Sequence, residues 1–105
     1  MSGWKEICPL QEIPRLGARV IKSPEGDIAL FRNADDVVLA LADRCPHKGG
    51  RLSQGIVFDG KVACPLHGWT ISLHDGKAIA PDEGRVETFE VKVENGKVFL
   101  SLWPS

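Results

Sequence analysis

The sequence contains no long apolar run and no strong excess of either charge. Nowhere does it approach the roughly 18 consecutive apolar residues that mark a membrane span, and its first six residues do not resemble a signal peptide. The formal net charge of -1 at pH 7 provides no basic field that would attract phosphate backbones. We therefore expect a soluble, cytoplasmic protein that binds neither nucleic acid nor a membrane.

Cysteine is scarce and odd in number. The three cysteines, Cys8, Cys45 and Cys64, cannot all pair within one chain. Two of them stand two or three residues from a histidine, which favours metal binding over a framework of disulfide bonds. Cys8 has no such neighbour, and we expect it to be a small buried apolar residue.

Helical periodicity is absent as well, apart from one possible turn at residues 10–14 before a proline interrupts it. Near the end of the chain, Asn95-Gly96 between alternating apolar residues predicts a hairpin with a type I′ turn. Further β-like runs, separated by turn signals, occupy residues 18–21, 28–31 and 37–41. The 105 residues are predicted to form one all-β domain, too short to include a separate nucleotide or substrate domain.

Two pairs of metal-binding residue types stand out in the middle of the chain. Cys45-Pro46-His47 is followed, after sixteen residues, by Cys64-Pro65-Leu66-His67. A turn at Asp59-Gly60 folds residues 61–63 back along residues 56–58, so both pairs leave the same end of a hairpin and build one site. Two thiolates and two imidazoles could bind iron, or tetrahedral zinc, although zinc sites of this kind usually have wider spacing. A disulfide from Cys45 to Cys64 is the alternative without metal, and a cytoplasmic setting disfavours it.

The two boxes, Cys-Pro-His-Lys-Gly-Gly at residues 45–50 and Cys-Pro-Leu-His-Gly-Trp at residues 64–69, resemble the binding boxes of Rieske proteins. The resemblance implies a [2Fe-2S] cluster with both cysteines on one iron and both histidines on the other. Its cofactor and metal ligands would be Cys45, His47, Cys64 and His67. It also implies a Rieske-type antiparallel β-sandwich, with a cluster-binding subdomain inserted at about residues 43–80 and a loop beginning at Pro81 that covers the cluster.

Respiratory Rieske proteins have a further cysteine in each box, and the matching positions here are Gly50 and Leu66. Their serine and tyrosine donors correspond to Trp69 and Ile71. Without those donors, the resemblance implies a reduction potential toward the low end of the Rieske range of roughly -150 to +300 mV. Two non-respiratory classes of Rieske protein remain as candidates.

The small subunit of assimilatory NAD(P)H-dependent nitrite reductase is the closer resemblance, through residues 4–8, 43–50, 52–57 and 81–84. It implies an electron-transfer subunit of an enzyme that reduces nitrite to ammonium, with no catalytic residue and no complete active site on this chain. The partner would be a large subunit that holds flavin and siroheme. The first alternative is the ferredoxin component of an aromatic-ring oxygenase system, with a ferredoxin reductase and an oxygenase as partners. The second is a non-redox interaction module in which the metal only staples the loops.

Charged residues near the boxes suggest how a partner could be recognised. Arg44, Lys48 and Arg51 lie around the proposed tip, whereas acidic residues are concentrated in the C-terminal quarter of the chain. A basic rim of this kind would guide docking onto an acidic partner. Scattered, solvated surface charge is the alternative.

Overall fold

The computed structural model describes residues 4–24, 26–46, 50–66 and 68–104. Within these ranges the chain is nearly all-β, as predicted, with two short 3-10 turns, Leu10–Glu12 and Leu52–Gln54. The strands are β1 (Trp4–Pro9), β2 (Gly17–Ile21), β3 (Ile28–Arg32), β4 (Val38–Ala42), β5 (Ile56–Phe58), β6 (Lys61–Ala63), β7 (Thr70–Ser72), β8 (Thr88–Glu94) and β9 (Lys97–Pro104). No helix in the described ranges has the length and apolar character needed to cross a bilayer.

The strands form two antiparallel sheets. The larger sheet has the order β1-β9-β8-β4-β3-β2, and the smaller sheet has the order β5-β6-β7. All strands of the smaller sheet come from one continuous stretch of chain between β4 and β8. This arrangement agrees with an insertion into the larger sheet, while the exact limits of a subdomain at residues 43–80 stay a prediction.

The larger sheet folds over on itself. Ile28 and Leu30 of β3 share one apolar cluster with Val98 and Leu100 of β9, although two other strands separate β3 from β9 in the sheet. Such contact requires the two halves of the sheet to face each other, as the layers of a sandwich do. The halves join where β4 pairs with β8 over a short ladder.

Strand β3 is buried on both faces. Because side chains alternate along a strand, Ile28 and Leu30 point into the sandwich while Ala29 and Phe31 point the other way, into a second apolar cluster. The second cluster lies between the larger sheet and the smaller one. Its other buried members are Leu41, Cys45, Leu52, Val57, Val62, Cys64, Ile71, Leu73 and Val86.

The predicted hairpin turns are confirmed. Asp59 and Gly60 have φ of 47° and 73°, and Asn95 and Gly96 have φ of 52° and 73°, as a type I′ turn requires at both central positions. Strands β1 and β7 were not predicted from the sequence. A bulge between Glu6 and Cys8 interrupts the alternation of β1, and β7 has only three residues.

Candidate metal centre

The two predicted cysteine ligands lie just beyond the ends of strands, in buried positions. Cys45 follows β4 and is 1% exposed, and Cys64 directly follows β6 and is 3% exposed. Both belong to the apolar cluster between the two sheets. No disulfide bond joins them, so the disulfide alternative is wrong. Cys8 is buried in the other cluster, as predicted, and burial raises the pKa of its thiol.

The two boxes fold into loops that are closed in the same way. The Cys45 amide donates to the carbonyl of Gly50 with an N···O distance of 2.7 Å, and the Cys64 amide donates to the carbonyl of Trp69 at 2.6 Å. In sequence, the histidine of each box stands between the two residues that the bond joins. His47 and His67 themselves lie outside the described residues. We call residues 45–50 the first loop and residues 64–69 the second loop.

The two loops meet at Gly50. A Cβ atom added to Gly50 would lie 2.9 Å from Leu66 Cδ1 and 3.2 Å from Cys64 Sγ. Any side chain larger than hydrogen would therefore overlap the second loop. The close approach confirms the prediction that the hairpin β5–β6 brings the two boxes together. It also shows that Gly50 and Leu66, the positions matched to the respiratory cysteines, lie next to each other.

A third loop, residues 78–84, touches both boxes. Its ends are joined by a hydrogen bond from the Ala78 amide to the Gly84 carbonyl, 2.9 Å long. Gly84 has φ of +138°, and a Cβ atom there would lie 3.1 Å from Pro46 Cβ and 3.8 Å from Trp69 Cζ3. The segment that follows Pro81 thus packs against the first loop and the second loop, while its covering of the cluster stays a prediction. The sequence indicated a loop here but gave no sign that Gly84 is its contact point.

The basic rim stays a prediction, and Arg51, one of its three residues, forms ion pairs within the protein. Its guanidinium Nη2 lies 2.8 Å from Asp27 Oδ2 and 3.3 Å from Asp43 Oδ2, so its charge is balanced within the protein. Asp82 precedes Gly84 by two residues in the third loop. Arg44 is exposed, and Lys48 lies outside the described residues.

Asp43 is the functional candidate that sequence reasoning missed. Its side chain is completely buried, and it accepts hydrogen bonds from the amide and the hydroxyl of Ser53, both at 2.7 Å. Arg51 and Lys22 together hold the pKa of the neighbouring Asp27 carboxyl below its ordinary value. An acidic residue directly after an apolar strand and two residues before a ligand was the available signal in the sequence.

The residues of the site fit an iron-sulfur cluster. The described residues contribute two buried thiols on loops that touch, with a glycine where the loop backbone approaches Cys64 Sγ. The sequence adds one imidazole to each loop. Thiolates combined with imidazoles suit iron in mixed ligation.

An antiparallel β domain with paired cysteine loops of this kind defines an iron-sulfur electron-transfer domain. The family model of the Rieske [2Fe-2S] domain matches residues 3–90, and the chain belongs to that family. It therefore binds a [2Fe-2S] cluster, and the alternative of a zinc site is wrong.

Three relatives illustrate the range of the similarity. The 3-phenylpropionate/cinnamic acid dioxygenase ferredoxin subunit of Photorhabdus laumondii is 35% identical over 98 residues, which is 91% of either chain. A chain in the complex of reduced oxygenase and oxidized ferredoxin of carbazole 1,9a-dioxygenase superimposes with a TM-score of 0.87 at 22% identity, over 100% of this chain and 98% of that one. A putative small subunit of nitrite reductase NADPH superimposes with a TM-score of 0.82 at 27% identity, over 92% and 96%.

Proposed function

We propose that this protein is the ferredoxin component of a Rieske-type oxygenase system, which carries single electrons from a ferredoxin reductase to an oxygenase. The observation that carries the proposal is the 35% identity to a dioxygenase ferredoxin subunit over 91% of both chains. Matched length matters because the similarity extends over nearly the whole of both chains and is not confined to the two boxes. The proposal includes a cytoplasmic location.

Four side chains would hold the cluster. Cys45 and Cys64 would bind one iron, and His47 and His67 the other. The burial of both thiols and the contact between the two loops support this assignment. When bound, the cluster would take up and release one electron at a time. The protein's own contribution would be to keep water from the thiolates, which the burial of Cys45 and Cys64 supports.

The small subunit of an assimilatory nitrite reductase is the second candidate. It is favoured by the resemblance of residues 4–8 and 81–84, and by a structure with 27% identity and a TM-score of 0.82. The partner would then be the large subunit with flavin and siroheme, and the chain would act as part of an enzyme in nitrate assimilation. We rank this candidate second because the dioxygenase ferredoxin subunit is more similar in sequence.

The first experiment establishes the cluster. Protein purified without air is examined by absorption and low-temperature electron paramagnetic resonance, before and after dithionite. A reduced signal with the low mean g value of mixed Cys/His ligation is expected. Colourless protein would refute both electron-transfer candidates.

The second experiment distinguishes the acceptors. Chemically reduced protein is mixed either with the oxygenase component of a phenylpropionate-type dioxygenase, its substrate and oxygen, or with a siroheme nitrite reductase large subunit and nitrite. We expect rapid reoxidation only in the first mixture, with each mixture lacking its protein acceptor as the control. Reoxidation only in the second mixture would replace the proposal by the second candidate.

A third experiment addresses the non-redox alternative. In His47→Ala, a redox role predicts loss of electron transfer in a protein that is still folded, whereas a stapling role predicts loss of folding first. The matched control is His74→Ala, because His74 is an exposed turn residue. Circular dichroism measures folding, and reoxidation by the acceptor measures transfer.

A further inference from the structure

Asp43 precedes the first loop by two residues, and its buried carboxylate is bonded to Ser53 and Arg51, which both follow that loop. We propose that Asp43 is a positioning residue for the first loop, and that its buried negative charge, shared with Asp27 and only partly balanced by Arg51, lowers the reduction potential of the cluster. The inference rests on the presence of the cluster and not on which partner receives the electron.

Asp43 joins the two ends of the first loop. It precedes Cys45 by two residues, and its carboxylate accepts both bonds from Ser53, which lies beyond the loop in the 3-10 turn Leu52–Gln54. The Asp43 amide donates to the carbonyl of Asp27 with an N···O distance of 2.9 Å, which fixes it to the chain just before β3. A chain segment held in this way at both ends has few alternative conformations.

The charges of Asp27, Asp43 and Arg51 do not cancel. Arg51 Nη2 lies 2.8 Å from Asp27 Oδ2 and 3.3 Å from Asp43 Oδ2, so one guanidinium serves two carboxylates. Lys22 also reaches Asp27, but its side chain is 82% exposed, and water screens its charge. The group of Asp27, Asp43 and Arg51 therefore has a net charge of -1.

Buried negative charge near the cluster favours its oxidised state. Reduction adds an electron, and Coulomb repulsion from a nearby carboxylate makes that addition less favourable, more strongly in the protein interior than in water. The side chain of Asp43 is 0% exposed, so little solvent screening applies to it. The second loop contributes no such charge of its own, because residues 62–71 contain no Asp, Glu, Lys or Arg.

The test compares midpoint potentials of the cluster-loaded protein in redox titrations followed by visible circular dichroism. Asp43→Asn removes a negative charge with little change in shape, and its potential should rise. Arg51→Met removes the positive charge, and its potential should fall. The matched control is Asp36→Asn, because Asp36 is also paired with arginine, here Arg15 and Arg32, but lies at the opposite end of β4. The potential of this variant should not move.

Opposite signs distinguish an electrostatic role from a merely structural one. Asp43→Asn and Arg51→Met break the same ion pair, so a structural role would shift both potentials in one direction, and that result would overturn the inference. Shifts no larger than that of Asp36→Asn would also overturn it. If Asp43→Asn does not fold, Asp27→Asn takes its place, and a smaller rise is expected because Asp27 is 21% exposed. Wild-type protein without a cluster would refute the proposed function itself, which is a distinct outcome.

Discussion

The first loop and the second loop are each closed by a main-chain hydrogen bond from the cysteine amide, but they are supported in different ways. The first loop is tied to the end of β4 by the carboxylate of Asp43, through Ser53 and Arg51. The second loop continues the hairpin β5–β6 directly into β7 through a stretch without charged residues. One geometry is thus reached by a polar clamp in one case and by sheet pairing and apolar packing in the other. The first support should be sensitive to changes of charge and the second to changes of volume.

The largest effect is expected from replacing a cysteine ligand, and the loss of the cluster should be equally severe for either loop. Cys45→Ser and Cys64→Ser should each lose the cluster almost completely, because the proposed ligation places both thiolates on one iron. Iron content and visible absorption measure the loss. The matched control is Cys8→Ala, the third cysteine, which lies in the other apolar cluster and should leave the colour unchanged. Full iron content in Cys45→Ser would contradict the ligand assignment.

The contact between the two loops should be sensitive to the volume of the side chain at position 50. Gly50→Ala places a methyl group 2.9 Å from Leu66 Cδ1 and 3.2 Å from Cys64 Sγ, and overpacking of this kind costs about 1–3 kcal/mol of unfolding free energy. Denaturant unfolding measures the cost.

The control for Gly50→Ala is a double-mutant cycle with Leu66→Ala. Leu66 is 45% exposed, so its truncation alone should cost little, and in the double variant it should recover part of the lost stability. Strictly additive effects would show that the two loops do not press on each other at this point.

The polar clamp should respond to loss of a single donor. Ser53→Ala removes the hydroxyl that donates to buried Asp43, and an acceptor left short of a donor costs about 1–3 kcal/mol. The control is Ser72→Ala on β7, whose hydroxyl accepts a long bond of 3.3 Å from the His74 amide and bonds to the Asp75 carboxylate, both exposed residues at which water can replace the lost hydroxyl. Thermal unfolding should separate the two variants, with the larger loss in Ser53→Ala. Equal losses would argue against the clamp.

The smallest expected effect is on the pH dependence of the protein's stability in the acid range. Arg51 and Lys22 lower the pKa of the Asp27 carboxyl in the folded state. Stability from this group is therefore present above its ordinary pKa and is lost as the pH falls through the lowered, folded value. Asp27→Asn should make stability less dependent on pH in that acid range. Asp36, whose pKa Arg32 lowers, should retain its own share of the dependence. An unchanged pH profile in Asp27→Asn would contradict the role of this pair.

Local signals in the sequence predicted much of this structure, and contacts between distant residues account for the rest. The hairpin at Asp59-Gly60 and the placement of the two boxes follow from neighbouring residues. The pairing of Arg51 with Asp27 joins residues 24 positions apart, and no periodicity indicates it. The approach of Gly84 to Pro46 and Trp69 likewise depends on the assembled fold.

Strand β3 gives one face to each of the two apolar clusters, and this sharing makes the domain cooperative. Ala29 and Phe31 form part of the wall against which the cysteine loops pack, while Ile28 and Leu30 hold the sandwich together. The segment with the loops cannot keep its core if the sandwich opens, and the sandwich cannot move its central strand without disturbing the loops. Unfolding should thus be a single transition in which the metal-binding loops and the rest of the domain lose their structure together.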